Sequence, residues 1–352
     1  MERYIGIDAH LKSCTLAVMG PSGRRLHELV VETHGRALRE SLTAVAGSKQ
    51  ICLEEGELSE WLYELLTPLA TKVVVVQPQR RTGTKSDAVD AWELADLLRR
   101  QGARNVVYKA PGQFTGLREA VRAHQATVRD VVRAKNRLRA VYRARGVAVS
   151  GREIYRPEQR EAWLKKLPAA RRRLAELLSE QLDALATVAQ EAESWLLEEA
   201  GRYPIVRLLA TAPGIGQVRS SQIVATVISP HRFRTKRQFW SYCGLAVVTR
   251  SSSDWELDRE GKRVRRKLAL PRGLNRNRHP VLKEVFKGAA ATIVSLMPEH
   301  PLHLNYQRLV GAGTKASLAR VTIARQLAAA VLAMWKHQEE YEPQRHTVQG
   351  TA

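Results

Sequence analysis

Hydrophobic positions change rhythm twice along the chain. In residues 4–19, YIGIDAHLKSCTLAVM, the apolar Tyr4, Ile5 and Ile7 are followed by a polar stretch and then by Leu16, Ala17 and Val18, closed by Gly20-Pro21. This pattern predicts a β-hairpin or two short strands. QICLEE around residue 52 reads as a further strand, residues 58–69 as a helix, KVVVVQP as a strand covered on both faces, and KSDAVDAWELADLLRR as a second helix. Strands alternating with helices predict an α/β layout with a central sheet. From about Phe114 to Arg202 strand signals stop, and two long helical patterns flank a break at Gly151–Pro157. The first is rich in Arg and the second carries a Leu/Ala stripe, which fits an antiparallel coiled-coil arm or a plain helical bundle. Residues 203–340 read as a mostly helical third region, in which TKRQFWSYCGLAVVTRSSSDWELDREGKRVRRK runs from a helix into a loop or ribbon. The tail from 341 to 352 is polar. The domains expected are therefore 1–110, 111–202 and 203–340, followed by that tail.

Charge adds what hydropathy does not. The 352 residues hold 57 Lys+Arg against 35 Asp+Glu, a formal net charge of +22. Such an excess points to a polyanionic partner, nucleic acid above all. No uninterrupted apolar run approaches the length of a membrane span, and the N-terminus has no signal-peptide layout. Cys14, Cys52 and Cys243 lie in apolar stretches with no metal-ligand spacing, as expected of reduced core thiols in a cytoplasmic protein. Aromatic residues make up only 6%, so no stacking platform for single strands stands out.

Against this basic background, a few acids occupy expensive positions. Asp8 ends a strand expected to be buried, and Glu54 and Glu55 close another before Gly56. Asp87 and Asp90, three apart on a helix, extend the stripe of Ala91, Leu94, Ala95 and Leu98, whereas Glu93 and Asp96 fall outside it. Each has a plain structural reading: a turn for Asp8, surface for Glu54 or Glu55, the helix dipole for Asp87. Together they fit a Mg2+ (or Mn2+) site for phosphodiester chemistry, in which carboxylates hold the ions and the ions clamp the displaced phosphate.

Two further stretches are candidate nucleic-acid contacts. In APGIGQVRSSQIV, Gly214 and Gly216 turn the chain tightly ahead of a helix whose first N–H groups are free to meet a phosphate, as in a helix-hairpin-helix; an ordinary helix connection fits too. REGKRVRRK contributes Lys262, Arg263, Arg265, Arg266 and Lys267, placed to touch phosphates or to form a solvated loop. Ser251, Ser252 and Ser253 read most simply as a loop.

These same residues carry a resemblance. IGIDAH, CLEEG and KSDAVDA resemble the acidic motifs of the DEDD transposases of the "one-ten" type insertion sequences, relatives of the Piv DNA invertases. TAPGIG and YCGLAVVTRSSS resemble their C-terminal domain. The likeness covers almost the whole chain, in order. It implies an RNase H-like (RuvC-like) α/β N-terminal domain, a long coiled-coil arm and a mostly α-helical C-terminal transposase domain. By position, the family's acids fall on Asp8, Glu54 (with Glu55 beside it), Asp87 and Asp90, with Lys85 as its motif lysine. Its serine falls on Ser252, between Ser251 and Ser253, with Asp254 where the family has a glycine region.

The resemblance implies a DNA transposase/recombinase in which Ser252 forms a covalent phosphoserine–DNA link at a Mg2+ site. Its expected partners are double-stranded DNA (element ends and target), a structured bridge RNA as guide, and further copies of itself in a dimer or tetramer, with no membrane and a cytoplasmic, nucleoid-associated location. The alternative is a metal-dependent, structure-specific nuclease or Holliday-junction resolvase with water as nucleophile. A third class is a non-catalytic DNA- or RNA-binding scaffold.

Overall fold

A computed structural model describes residues 1–78, 87–100, 106–107, 112, 114–249, 255–257, 260–265, 271–275 and 277–343. The chain divides into two compact units, Met1–Gln113 and Phe114–Ala352.

The first unit is an α/β layer. β1 (Glu2–Ala9), β2 (Ser13–Met19), β3 (Arg25–Glu32), α1 (Gly35–Ala44), β4 (Ser48–Glu54), α2 (Ser59–Leu66), β5 (Lys72–Val76), α3 (Asp87–Arg99) and β6 (Val106–Val107) follow in chain order. The sheet order is β3-β2-β1-β4-β5-β6. β1, β2 and β3 are antiparallel, β1, β4 and β5 run parallel, and β6 is antiparallel to β5. This mixed sheet with helices is consistent with an RNase H-like core. Ile5, Ile7, Ile51 and Leu53 pack on one face with Leu38, Leu42, Leu62 and Leu66 of α1 and α2. Tyr4, Ala17, Cys52, Val74 and Val76 pack on the other with Ala91, Leu94, Ala95 and Leu98 of α3.

β3 and α1 are not among the elements the hydrophobic pattern predicts. β3 is an edge strand with charges at both ends and with Val30 71% exposed, so it lacks the apolar alternation that marks a half-buried strand. It nevertheless fastens α3, since the Trp92 indole N–H donates to Glu28 at 2.6 Å and Arg25 stacks over the same ring.

The second unit is largely helical: α4 (Thr115–Arg143), α5 (Arg160–Leu164), α6 (Ala169–Gly201), α7 (Pro204–Ala210), α8 (Gln217–Val227), α9 (Lys236–Tyr242), α10 (Pro280–Leu296), α11 (Pro301–Gly311) and α12 (Ala316–His337). Short strands β7 (Val247–Thr249), β8 (Trp255–Leu257), β9 (Arg263–Arg265) and β10 (Pro271–Leu274) interrupt it. α4 and α6 run antiparallel. Ala134, Leu138 and Tyr142 meet Ala175 and Leu182 at one end, while Leu117, Val121, Leu196 and Ala200 join the core of the C-terminal helices at the other. The pair thus shares its base with that core, and a distinct arm is not marked off.

α12 alone among the described helices is long and apolar enough to cross a membrane, a feature the search for uninterrupted apolar runs passed over. Its apolar side is a core surface: Ile323, Ala324, Leu327, Ala328 and Val331 are fully buried against α10 and its neighbours. All three cysteines are free and buried, and burial pushes the Cys52 thiol up to about 12.

Candidate metal centre and nucleic-acid contacts

The acids gather because two backbones touch. Gly6 of β1 lies directly under α3: a Cβ there would stand 2.6 Å from the Ala95 nitrogen and 2.9 Å from the Leu94 Cβ. Only a glycine lets the helix settle so low on the strand. Asp8 is two residues farther along β1 on the same face, and Asp87 is one turn before Ala91 on the helix. The contact at Gly6 therefore brings the end of the strand and the start of the helix together.

His10 completes the group. Its Nε2 lies 3.1 Å from Asp8 Oδ2 and 3.4 Å from Asp87 Oδ1. Among the described residues, one ligand atom each from Asp8, His10 and Asp87 lie within 4.8 Å of one another, the only such cluster of three or more. Asp8 is the sheltered member, its side chain 17% exposed against 59% for Asp87. Burial pushes the Asp8 carboxyl above its ordinary value; His10 eases this, and the charges of Asp87 and Asp90 add to it. Two carboxylate oxygens and an imidazole nitrogen, with mutual repulsion between the acids, fit a divalent cation.

The other expected ligands stand close by but outside this trio. Ile7 pairs with Leu53, so Asp8 and Glu54 are the next residues on adjacent parallel strands, and the alternation turns both toward the α3 face. Glu54 and Glu55 are half-buried, and the Glu55 N–H donates to the Val76 carbonyl. Asp90 is half-buried on α3. Asp87, expected to continue a buried face, is exposed instead, at the first described turn of α3 and one turn before the buried Ala91. Lys85 lies outside the described residues.

His10 stands in the IGIDAH motif, where the sequence alone assigns it no role. His10 follows the last residue of β1, where strand alternation no longer fixes a face, so its nearness to Asp8 comes from the turn into β2. The backbone of His10 is also held. Its N–H donates to the Ser13 carbonyl at 3.0 Å, and its own carbonyl accepts the Thr33 hydroxyl at 2.6 Å, with Thr33 arriving from the end of β3.

In the second unit, α7 and α8 are joined by the turn through Gly214 and Gly216, as a tight turn ahead of a helix expects. Gly214 has φ +68° and lies against α10, where a Cβ would be 2.7 Å from the Ala289 carbonyl oxygen. Arg219 on α8 ties the turn down by donating to the Gly214 carbonyl at 2.5 Å and to Thr292 Oγ1 at 3.2 Å. Gly216 precedes the first turn of α8, whose leading N–H groups have no intrahelical acceptor. Downstream, β8 and β9 form an antiparallel ribbon with Lys262 exposed in its connection. Arg263 and Arg265 lie on β9, while Ser251, Ser252, Ser253, Arg266 and Lys267 lie outside the described residues.

The base from which that segment leaves is fixed. Arg325 donates to the Leu245 carbonyl at 2.7 Å, Trp240 donates to the Arg325 carbonyl, and Asn275 donates to Ser241 and to the Ala246 carbonyl.

Comparison with known proteins meets these two regions. Residues 5–144 match the DEDD-type IS110 transposase family model, and residues 206–271 match the model described as transposase IS116/IS110/IS902 family. Together they span more than half the chain, the first containing Asp8, Glu54, Glu55, Asp87 and Asp90 and the second the Gly214 turn and the serine segment. None of the curated proteins matches the chain.

Proposed function

The chain belongs to the IS110 family of insertion-sequence transposases, an enzyme family, and from that premise we propose a metal-dependent DNA recombinase with a serine nucleophile. The observation that carries the metal half of the reading is the convergence of Asp8, His10 and Asp87 within 4.8 Å at the end of β1. Asp8, Glu54, Asp87 and Asp90 hold Mg2+ or Mn2+. The bound ion supplies charge stabilisation at the phosphate undergoing displacement.

The chain's own residues do the rest. Ser252 attacks the DNA phosphorus: its Oγ–P bond forms, the bond from phosphorus to the departing deoxyribose oxygen breaks, and the serine proton leaves with that oxygen or to solvent. The phosphoserine link keeps the phosphodiester energy for rejoining. Lys85, Lys262, Arg263, Arg265, Arg266, Lys267 and the turn at Gly214 and Gly216 grip the phosphate backbone without reading bases. Sequence choice is delegated to a bridge RNA paired with element ends and target. Ser252 has to meet the acids, which fits a dimer or tetramer in which α4 and α6 serve as a coiled-coil arm. The three-part division at residues 110, 202 and 340 and a cytoplasmic setting belong to the same reading.

The experiment is a trapping assay with purified protein and its copurifying nucleic acid. A denaturation-resistant protein–DNA adduct that disappears in Ser252→Ala is the expected result. Free cleaved ends at full rate in that variant would replace the serine with water and the recombinase with a nuclease. Sequencing the copurifying nucleic acid tests the guide: a discrete structured RNA supports it, and none overturns it.

A further inference from the structure

Four acids account for the chemistry the family motif advertises, but the structure sets an imidazole among them. Resting on the metal-dependent reading above, we propose that His10 is itself a ligand of the divalent cation through Nε2, and that it biases this site toward Mn2+ over Mg2+.

Three observations carry this. First, one ring nitrogen, Nε2, faces both carboxylates, at 3.1 Å from Asp8 and 3.4 Å from Asp87. An ion held by those two oxygens also comes within reach of Nε2. Second, the residue is held in place on both sides of its α-carbon, through Ser13 and Thr33. Thr33 is locked in turn, since its N–H donates to the Lys12 carbonyl and its Oγ1 lies 3.4 Å from Cys14 Sγ. The β1–β2 turn is thus tied to the end of β3, and the backbone that carries the imidazole is held from three strands rather than lying in a free loop. A ligand gains from such preorganisation, whereas a diffuse counter-charge does not need it. Third, the donor set is mixed. Mg2+ takes oxygen ligands almost throughout, whereas an imidazole nitrogen is a donor for first-row transition ions, among which Mn2+ is the one that shares the preference of Mg2+ for carboxylate oxygen.

A competing role is that His10 merely balances the two carboxylates and swings away when an ion enters. The two roles differ in what the metal feels. A ligating Nε2 leaves a nitrogen coupling on the bound ion; a displaced ring leaves none.

The test is Mn2+ and Mg2+ binding to the full chain by calorimetry, with pulsed electron paramagnetic resonance of the Mn2+ complex to read nitrogen coupling. Wild type, His10→Gln, Thr33→Val and Asp8→Asn are compared. The expected result is a nitrogen coupling on Mn2+ in wild type, lost in His10→Gln. Mn2+ affinity should fall about tenfold or more in that variant and Mg2+ affinity change by no more than about twofold. Thr33→Val, which removes only the hydroxyl that holds the His10 carbonyl, should weaken Mn2+ by a smaller factor.

Absence of nitrogen coupling in wild type overturns the proposal, and that measurement needs no variant to fold. If Asp8→Asn abolishes Mn2+ binding while His10→Gln leaves it unchanged, the His10 assignment fails and the acid site stands. If neither variant changes Mn2+ binding, the metal site itself fails.

Discussion

Both regions singled out here depend on a glycine that lets two backbones approach, and they use that closeness differently. At Gly6 a strand and a helix far apart in sequence touch, and the result is a gathering of side chains: Asp8, His10 and Asp87. At Gly214 a tight local turn settles against α10, and the result is a row of backbone N–H groups at the start of α8, held by Arg219. The first region concentrates negative charge and suits a cation. The second presents positive backbone dipoles and suits a phosphate oxygen. The contrast teaches that side-chain identity decides the first site and backbone conformation the second. Substitutions should therefore separate the two.

The largest expected effect is Asp8→Asn. Strand cleavage should fall more than about 100-fold while DNA retention on a filter stays close to wild type, because the amide cannot match a carboxylate as a cation ligand. Equal loss of cleavage and retention would mean that the two regions are not functionally separate.

Gly6→Ala comes next. Its methyl meets the backbone of α3, so the unfolding free energy in urea should drop by about 1–3 kcal/mol, and Mn2+ affinity should fall because Asp87 moves away from Asp8. DNA retention should hold. An unchanged metal affinity would show that α3 does not set the cluster.

Gly214→Ala is the mirror experiment. A φ of +68° and the nearby Ala289 carbonyl predict a loss of about 1–3 kcal/mol, this time with weakened, salt-sensitive DNA retention and intact metal binding. Loss of metal binding here would break the comparison from the other side.

The smallest effect concerns stability against pH without metal. Asp8 is held above its ordinary value of 3.8, chiefly by burial. Between 3.8 and that raised value the folded chain binds more protons than the unfolded chain, so stability falls as pH rises through the window and stays lower above it. Metal-free Asp8→Asn should therefore have a urea midpoint at pH 7 at or above wild type, with the advantage shrinking as pH falls toward the ordinary value. Adding Mn2+ should reverse the order at pH 7.

Much of this was legible from the chain. The hairpin of β1 and β2, the buried β5, the start of α3 and the α7–α8 turn all carry local signals: apolar rhythm, Gly-Pro punctuation and paired glycines. β3 was not legible, because an exposed edge strand has no need of alternation. The exposure of Asp87 is not legible, because helical periodicity gives the face a residue shares but not how far along the helix that face is covered. His10 was in plain view but had no partner in sequence other than Asp8; its second partner, Asp87, is 77 residues away.

By itself, then, the sequence determined the alternating α/β first unit, the helical second unit, the excess of cations, and which residue types were available for chemistry. Those properties follow from local rhythm and composition, which do not depend on how the elements pack. Tertiary structure alone decided that Asp8, His10 and Asp87 share one site. That outcome follows from the depth at which α3 sits on Gly6 and the hydrogen bond by which Thr33 holds the β1–β2 turn, both set by contacts between segments with no fixed spacing in the chain.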